Sequence, residues 1–198
     1  MKAFVLAEPG KVKWFDAPEP QLVPYGAILK PVAVTPCSSD VHTVFGGGSK
    51  KQDNLVLGHE CIAEVVSVGE NVCDFKTGDR VAVPAITPDW REKSIQEGND
   101  RHASAPFSGH QLGRTQPGVF SERFLIKDAD TTLAHIPQKI SEEQALMSVD
   151  VVTTGFTGAE YADIKIGDTV CVIGIGPIGL MAVAGAKLRG AARIIAVG

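Results

Sequence analysis

The chain has 198 residues, of which 44% are hydrophobic and 21% are charged, and its formal net charge is −4. This composition is typical of a soluble globular protein, and the lack of a basic cluster argues against a nucleic-acid partner. Residues 1–5 lack the charged and long apolar regions of a signal peptide. The cysteines form no C-x-x-C pair, so we expect reduced thiols and a cytoplasmic protein.

The first part of the chain predicts a β-rich domain. Short stretches of alternating apolar residues, separated by glycine and proline, are typical of the strands of a compact barrel or sandwich. These stretches are Lys2–Ala7, Ala27–Val34, Cys61–Val68, Arg80–Val83 and Val119–Ile126. The polar segment from Pro84 to Pro117 is predicted to be a long loop.

The pattern changes after Pro137, where residues 141–144 form a capping box that begins a helix. A buried strand, an alanine-rich helix and a second strand follow, and they predict one β–α–β unit. They cover Thr169–Ile173, Ile178–Arg189 and Arg193–Val197. We therefore predict two domains, 1–150 and 151–198. Because a parallel sheet needs helices on both faces, we expect the second domain to be incomplete.

The turn between this strand and helix has the pattern G-x-G-x-x-G. Gly174 permits a tight turn, Gly176 lets the backbone approach a pyrophosphate, and Gly179 lets the helix pack on the strand. We predict that this turn, which includes Pro177 and Ile178, binds a dinucleotide; an ordinary glycine-rich turn is the alternative. The glycines and the proline also argue against a membrane span in the uncharged run 170–186.

A second group of residues has side chains that zinc favours. Cys37 begins the sequence C-S-S-D-V-H, which ends at His42, and His59 and Glu60 lie in the sequence G-H-E. Taken singly, each has an ordinary structural alternative, such as a core cysteine or a hydrogen-bonded surface histidine. Together, and followed by a nucleotide-binding pattern, they predict a catalytic metal.

These motifs resemble those of zinc-dependent medium-chain alcohol dehydrogenases, and most of all the bacterial-type secondary alcohol dehydrogenases that use NADP. The resemblance covers the whole chain and is strong at Val83–Trp90 and Gly176–Gly190. It implies a GroES-like catalytic domain followed by the start of a truncated Rossmann domain. It also implies an enzyme that interconverts secondary alcohols and ketones, with one catalytic zinc and NADP, and that forms a homotetramer when full length. The fragment alone is expected to be inactive. A polyol or amino-alcohol dehydrogenase, or a non-catalytic zinc-holding fragment, is the alternative.

The resemblance assigns the metal ligands. It makes Cys37, His59 and Asp150 the protein ligands of the catalytic zinc, with Glu60 as an exchangeable ligand. Many relatives have cysteine at the position of Asp150. One thiolate and one carboxylate still neutralise the dication, so the difference is chemically sound. Asp40 is expected to orient the ring of His59.

Further roles follow from the same resemblance. Ser39 is expected to pass the proton of the alcohol toward His42, and Thr154 is expected to pack against the nicotinamide. In NAD-binding units an acidic residue about 20 positions past the glycine motif binds the ribose. Gly198 occupies that position, which predicts NADP; the alternative is that Gly198 is a turn residue and an acid comes later.

The chain also departs from the pattern of its relatives. The segment 84–117 contains no cysteine, whereas relatives with a structural zinc carry four closely spaced cysteines there, so we predict no structural zinc. Close relatives usually have tryptophan in the substrate pocket where this chain has His110, which leaves substrate size and polarity open. Ala63 stands where the signature usually has glycine, and we expect little effect from so small a side chain.

Overall fold

The computed structural model describes residues 1–46, 54–98, 109 and 111–198. The chain divides into two compact units, Met1–Leu146 and Met147–Gly198. The predicted domain boundary after residue 150 falls just inside the second unit.

The first unit is built on two antiparallel sheets. Its strands are β1 (Lys2–Glu8), β2 (Lys11–Asp16), β3 (Ala27–Thr35), β4 (Leu55–Val56), β5 (Glu60–Val68), β6 (Arg80–Val83), β7 (Phe124–Ile126) and β8 (Ala134–His135). One sheet has the order β2-β1-β4 and the other has the order β7-β3-β5-β6-β8. The helices in this part of the chain are α1 (Ser38–Gly46), α2 (Lys93–Gln96), α3 (Ala129–Thr132) and α4 (Glu142–Ser148).

The core of the first unit lies on the five-stranded sheet, and β5 is the central strand. Cys61, Ala63 and Val65 of β5 are fully buried, whereas Glu64 is exposed. Ala63 pairs with Pro31 on one side and Val81 on the other. The methyl group of Ala63 is thus fully buried in the central strand, and the expectation that it has little effect stays a prediction.

One predicted strand is wrong over most of its length. Only Phe124–Ile126 of the predicted Val119–Ile126 belongs to a strand. The physical reason is that the backbone N–H groups of residues 119 and 120 bind the segment before His59 and do not pair with a neighbouring strand. The Val119 and Phe120 N–H groups donate to the carbonyl oxygens of Gly58 and Leu57. The predicted loop 84–117 also contains the short helix α2, and its residues 99–108 and 110 lie outside the described residues.

The capping box is present at the start of α4. The Gln144 N–H donates to Ser141 Oγ at 3.3 Å, and the Ser141 N–H donates to Gln144 Oε1 at 3.1 Å. Two orphan N–H groups at the helix end are thereby satisfied, as predicted for this pattern.

The second unit contains α5 (Val151–Tyr161), β9 (Thr169–Ile173), α6 (Pro177–Leu188) and β10 (Arg193–Val197). β9 and β10 pair in parallel, and α6 connects them in the sequence, which confirms the predicted β–α–β unit. The helix begins one residue earlier than predicted, because Pro177 has a backbone angle suited to the first helical position. It ends at Leu188, one residue before the predicted end, and Arg189 is its C-cap. No helix in the described part of the chain is long and apolar enough to cross a membrane.

Candidate functional site

Strand pairing in the first unit brings three of the predicted metal ligands together. Cys37 follows the end of β3, and Glu60 begins β5 directly after His59. Thr35 at the end of β3 pairs with Glu60, so these strand ends lie side by side. The ligand atoms of Cys37, His59 and Glu60 lie within 4.8 Å of one another. This spacing allows the three side chains to contact one metal ion.

The ring of His59 is oriented by a neighbouring carboxylate. Its Nδ1 lies 3.2 Å from Asp40 Oδ1, and both side chains are buried. An ionised carboxylate only accepts hydrogen bonds, so Nδ1 carries the hydrogen and Nε2 presents its lone pair. Nε2 lies 3.8 Å from Glu60 Oε1 and 3.3 Å from Ser39 Oγ. His59 therefore presents the nitrogen needed for a metal on the side where Glu60 lies.

Asp40 also holds the backbone on both sides of the cluster. Its Oδ2 accepts from the Cys37 N–H at 2.9 Å, and its Oδ1 accepts from the Gly58 N–H at 3.3 Å. Burial raises the pKa of Asp40, but the hydrogen bonds from His59, Cys37 and Gly58 outweigh it and lower the pKa below its ordinary value. Asp40 is therefore ionised at neutral pH, as its role as an acceptor requires.

The residues predicted to move a proton lie on α1. Ser39 is half-buried beside His59, and its carbonyl oxygen accepts from Thr43 Oγ1 at 2.9 Å. His42 is one turn further along the helix and is exposed. His110 lies outside the described residues, so its effect on the substrate pocket stays a prediction.

The second unit begins near Asp150, which is the N-cap residue of α5. Its carbonyl oxygen accepts from the Thr154 N–H and from Thr153 Oγ1, each at 2.8 Å. Thr154 Oγ1 donates to Asp150 Oδ1 at 2.5 Å, so the side chain predicted to contact nicotinamide also holds this carboxylate. The role of Asp150 as a ligand stays a prediction.

The glycine-rich turn of the second unit has the geometry predicted from its pattern. Gly174 has φ +91°, and its N–H donates to the Val197 carbonyl at 2.7 Å. A Cβ on Gly179 would overlap the Gly174 carbonyl oxygen, so helix and turn touch through backbone. Gly176 is the N-cap of α6, and Gly198 directly follows β10. The first N–H groups of a helix have no partner within the helix, and such groups bind phosphates; α6 begins at Pro177, directly after Gly176.

Residues 24–138 match the family model described as the alcohol dehydrogenase GroES-like domain. The chain belongs to this family. An NADP-dependent isopropanol dehydrogenase of Thermoanaerobacter brockii is 54% identical over 198 residues, which are all of this chain and 56% of that protein. A protein of the same name from Clostridium beijerinckii is 50% identical with the same coverage. These matches confirm the resemblance to zinc-dependent medium-chain alcohol dehydrogenases of the NADP-using type.

A solved structure supports the fold. The apo form of zinc dependent alcohol dehydrogenase 2 from Streptococcus pneumonia superposes with a TM-score of 0.89 at 30% identity. The match covers 99% of this chain and 55% of that one. The predicted fold class, a β-rich GroES-like domain followed by an α/β segment, is confirmed. The chain spans about half the length of the relatives that it matches.

One group of residues near the cluster was not predicted from the sequence. Val119 and Phe120 were predicted only as part of a strand, and no role was predicted for Gly118. In the structure their backbone lies against residues 56–58, directly before His59. Nothing local in the sequence signals this contact, because it joins segments about 60 positions apart.

Proposed function

We propose that a protein containing this chain is a zinc-dependent oxidoreductase that transfers a hydride between NADP(H) and small secondary alcohols or ketones. The observation that carries this proposal is the cluster of Cys37, His59 and Glu60, whose ligand atoms lie within 4.8 Å of one another. The 54% identity with an NADP-dependent isopropanol dehydrogenase supports the choice of cofactor and substrate class.

The donor set fits zinc. A thiolate, an imidazole and a carboxylate are the three ligand types that zinc takes, and a catalytic zinc keeps one position open for water or substrate. Cys37 and His59 are the proposed ligands in the first unit, Asp150 is the third, and Glu60 is exchangeable. Bound there, zinc supplies Lewis acidity toward the oxygen of an alcohol.

The residues of the chain then have separate tasks. Asp40 keeps Nδ1 of His59 protonated and so keeps Nε2 available to the metal. Ser39 Oγ, 3.3 Å from Nε2, is placed to take the proton of the alcohol. His42 lies on the exposed face of α1 and exchanges that proton with solvent, because an imidazole both accepts and donates.

The second unit is proposed to hold the nucleotide. The turn from Gly174 to Gly179 and the N-terminus of α6 bind the pyrophosphate. Thr154 packs against the nicotinamide, and Gly198 leaves room for the 2′-phosphate of NADP. A homotetramer in the cytoplasm is proposed on the resemblance alone.

Metal analysis and hydride transfer test the proposal together. We expect about one zinc per chain in the wild type, and its loss in Cys37→Ser because a metal ligand is removed. Cys73→Ser is the matched control, since Cys73 is an exposed free cysteine of the same unit. Equal zinc in the wild type and in Cys37→Ser contradicts the metal assignment. In a full-length protein containing this chain, zinc bound without any single-turnover hydride transfer from propan-2-ol to NADP indicates a non-catalytic zinc-holding protein.

A further inference from the structure

Residues 118–120 lie along the backbone of residues 56–58. The Gly118 N–H donates to the Val56 carbonyl at 2.8 Å, and the Phe120 N–H donates to the Leu57 carbonyl at 2.9 Å. Between them, the Val119 N–H donates to the Gly58 carbonyl at 3.1 Å. Three consecutive N–H groups are thus bound to the three residues that precede His59.

Two glycines make this contact possible. A Cβ on Gly118 would overlap the carbonyl oxygens of Gly58 and Leu57, so the two backbones touch without room for a methyl group. Gly58 has φ +89°, in the left-handed region that favours glycine. A Cβ on Gly58 would overlap the ring of Phe120. The two segments therefore fit together only with glycine at both positions.

The turn at Leu57 and Gly58 is held from two further directions. The Gly58 N–H donates to Asp40 Oδ1 at 3.3 Å. The Leu57 N–H donates to the Phe4 carbonyl at 3.1 Å, and the Phe4 N–H donates to the Phe120 carbonyl at 2.8 Å. Asp40, β1 and residues 118–120 together determine the direction in which the chain leaves Gly58.

We propose that Gly118 and Phe120 are positioning residues for the metal centre. They act through the backbone of Leu57 and Gly58. They hold Gly58 in its left-handed conformation. That conformation determines the path of the backbone into His59 and Glu60, and so places their side chains near Cys37. The inference rests on the proposed function, since it takes this cluster as the metal site.

Two variants and two matched controls test the inference. Gly118→Ala forces the two backbones apart, and Phe120→Leu removes the ring from Gly58 while keeping the backbone hydrogen bonds. Gly69→Ala is the first control, because a Cβ on Gly69 would overlap the carbonyl oxygens of Val23 and Pro24. Gly69 follows the far end of β5, about 30 Å along the strand from Glu60. Phe75→Leu is the second control, because Phe75 lies in the same core and stacks on His135.

The main measurement is zinc affinity by chelator competition, with the melting temperature of each variant recorded beside it. Loss of outer-shell support typically weakens metal binding, so we expect a loss of about tenfold or more in Gly118→Ala and about threefold or more in Phe120→Leu. Both controls should stay within about twofold of the wild type, although Gly69→Ala also melts at a lower temperature. Wild-type affinity in both test variants, or an equal loss in the controls, overturns the inference. If Gly118→Ala does not fold, Phe120→Leu and Phe75→Leu decide the question.

A second measurement separates this inference from the proposed function. Amide hydrogen exchange on the metal-free protein should be faster at Leu57 and Gly58 in Gly118→Ala, and unchanged there in Gly69→Ala. A wild type that binds no stoichiometric zinc contradicts the proposed function, while this exchange pattern still supports the positioning role. Unchanged exchange at Leu57 and Gly58 in Gly118→Ala contradicts the positioning role, whatever the zinc content.

Discussion

Asp40 links the two segments that carry the candidate metal ligands. One carboxylate accepts from the Cys37 N–H, the Gly58 N–H and the ring of His59. Hydrogen bonds to a charged group contribute about 1.5–3 kcal/mol each, and losing the partner of a buried donor costs its full desolvation penalty. A single side chain therefore controls both the shape of the site and the tautomer of its histidine.

Asp40→Asn should weaken the metal site more than it weakens the fold. The amide nitrogen of asparagine cannot accept a hydrogen bond, so one of the N–H groups now bound to Asp40 loses its partner. We expect zinc affinity to fall about 10–100-fold, measured by chelator competition. Asp16→Asn is the control, because Asp16 is an exposed carboxylate paired with Lys2. Unchanged zinc affinity in Asp40→Asn would show that Asp40 does not orient His59.

His42→Ala tests the proton path without touching a proposed ligand. A group that transfers protons contributes about 100-fold or more, and water can replace part of a terminal relay, so we expect kcat to fall by up to about 100-fold. The zinc content should equal that of the wild type. His135→Ala, which changes an exposed histidine on β8, should leave both quantities unchanged. Loss of zinc in His42→Ala would make His42 a ligand and contradict the relay.

At the scale of elements, two turns show how local chemistry alone produces structure. Lys76–Asp79 precedes β6 and Lys165–Asp168 precedes β9, with similar sequences. In both, the aspartate Oδ2 accepts from the lysine N–H, at 2.9 and 2.8 Å. The aspartate N–H donates a hydrogen bond to the lysine carbonyl oxygen, at 3.1 and 3.2 Å. The similarity therefore reflects one type of turn that leads into a strand, and not a repeated fold.

The close packing of α5 on α6 depends on Gly155 of α5 and not on Gly158 of the same helix. A Cβ on Gly155 would crowd Met181 Cβ and the Ile178 carbonyl oxygen, whereas a Cβ on Gly158 would meet open space. Gly155→Ala should lower the free energy of unfolding by about 1–3 kcal/mol, because overpacking forces the helices apart. Gly158→Ala should raise it by about 0.5–1 kcal/mol, because alanine favours the helix.

Urea denaturation of both alanine variants measures this difference. The two substitutions add the same methyl group to the same helix, so each serves as the control of the other. Equal destabilisation by Gly155→Ala and Gly158→Ala would show that helix–helix contact does not decide the effect.

At the scale of the whole molecule, Gly198 is proposed to influence the choice of nucleotide. Gly198 follows β10, where an NAD-binding unit has an acidic residue. A carboxylate there repels the 2′-phosphate of NADP, and glycine removes that charge.

Gly198→Asp should therefore shift a protein containing this chain away from NADP. We expect kcat/KM for NADP to fall by tenfold or more, about 1.4 kcal/mol or more, because the new charge faces the 2′-phosphate. Gly198→Asn is the matched control, since it adds similar volume without charge. The measurement is kcat/KM with both nucleotides; a wild type that prefers NAD would contradict the role given to Gly198.

The sequence by itself determined the local structure of this protein. Alternation predicted β1, β3, β5 and β6, and the pattern after Pro137 predicted a strand at 169–173, a helix at 178–189 and a second strand at 193–197. These features depend on neighbours a few positions apart, so their signals lie within short windows. The types of the candidate ligands, and their family, were also readable from motifs.

Only the tertiary structure decided what surrounds those ligands. The pairing of Thr35 with Glu60 brings Cys37 beside His59. The hydrogen bonds of Val119 and Phe120 to Gly58 and Leu57 take the place of the first part of the predicted strand, of which Phe124–Ile126 remains. Both contacts are made by backbone groups of segments far apart in the chain. Every residue other than proline offers the same N–H and C=O groups, so no side-chain pattern tells which distant partners will meet.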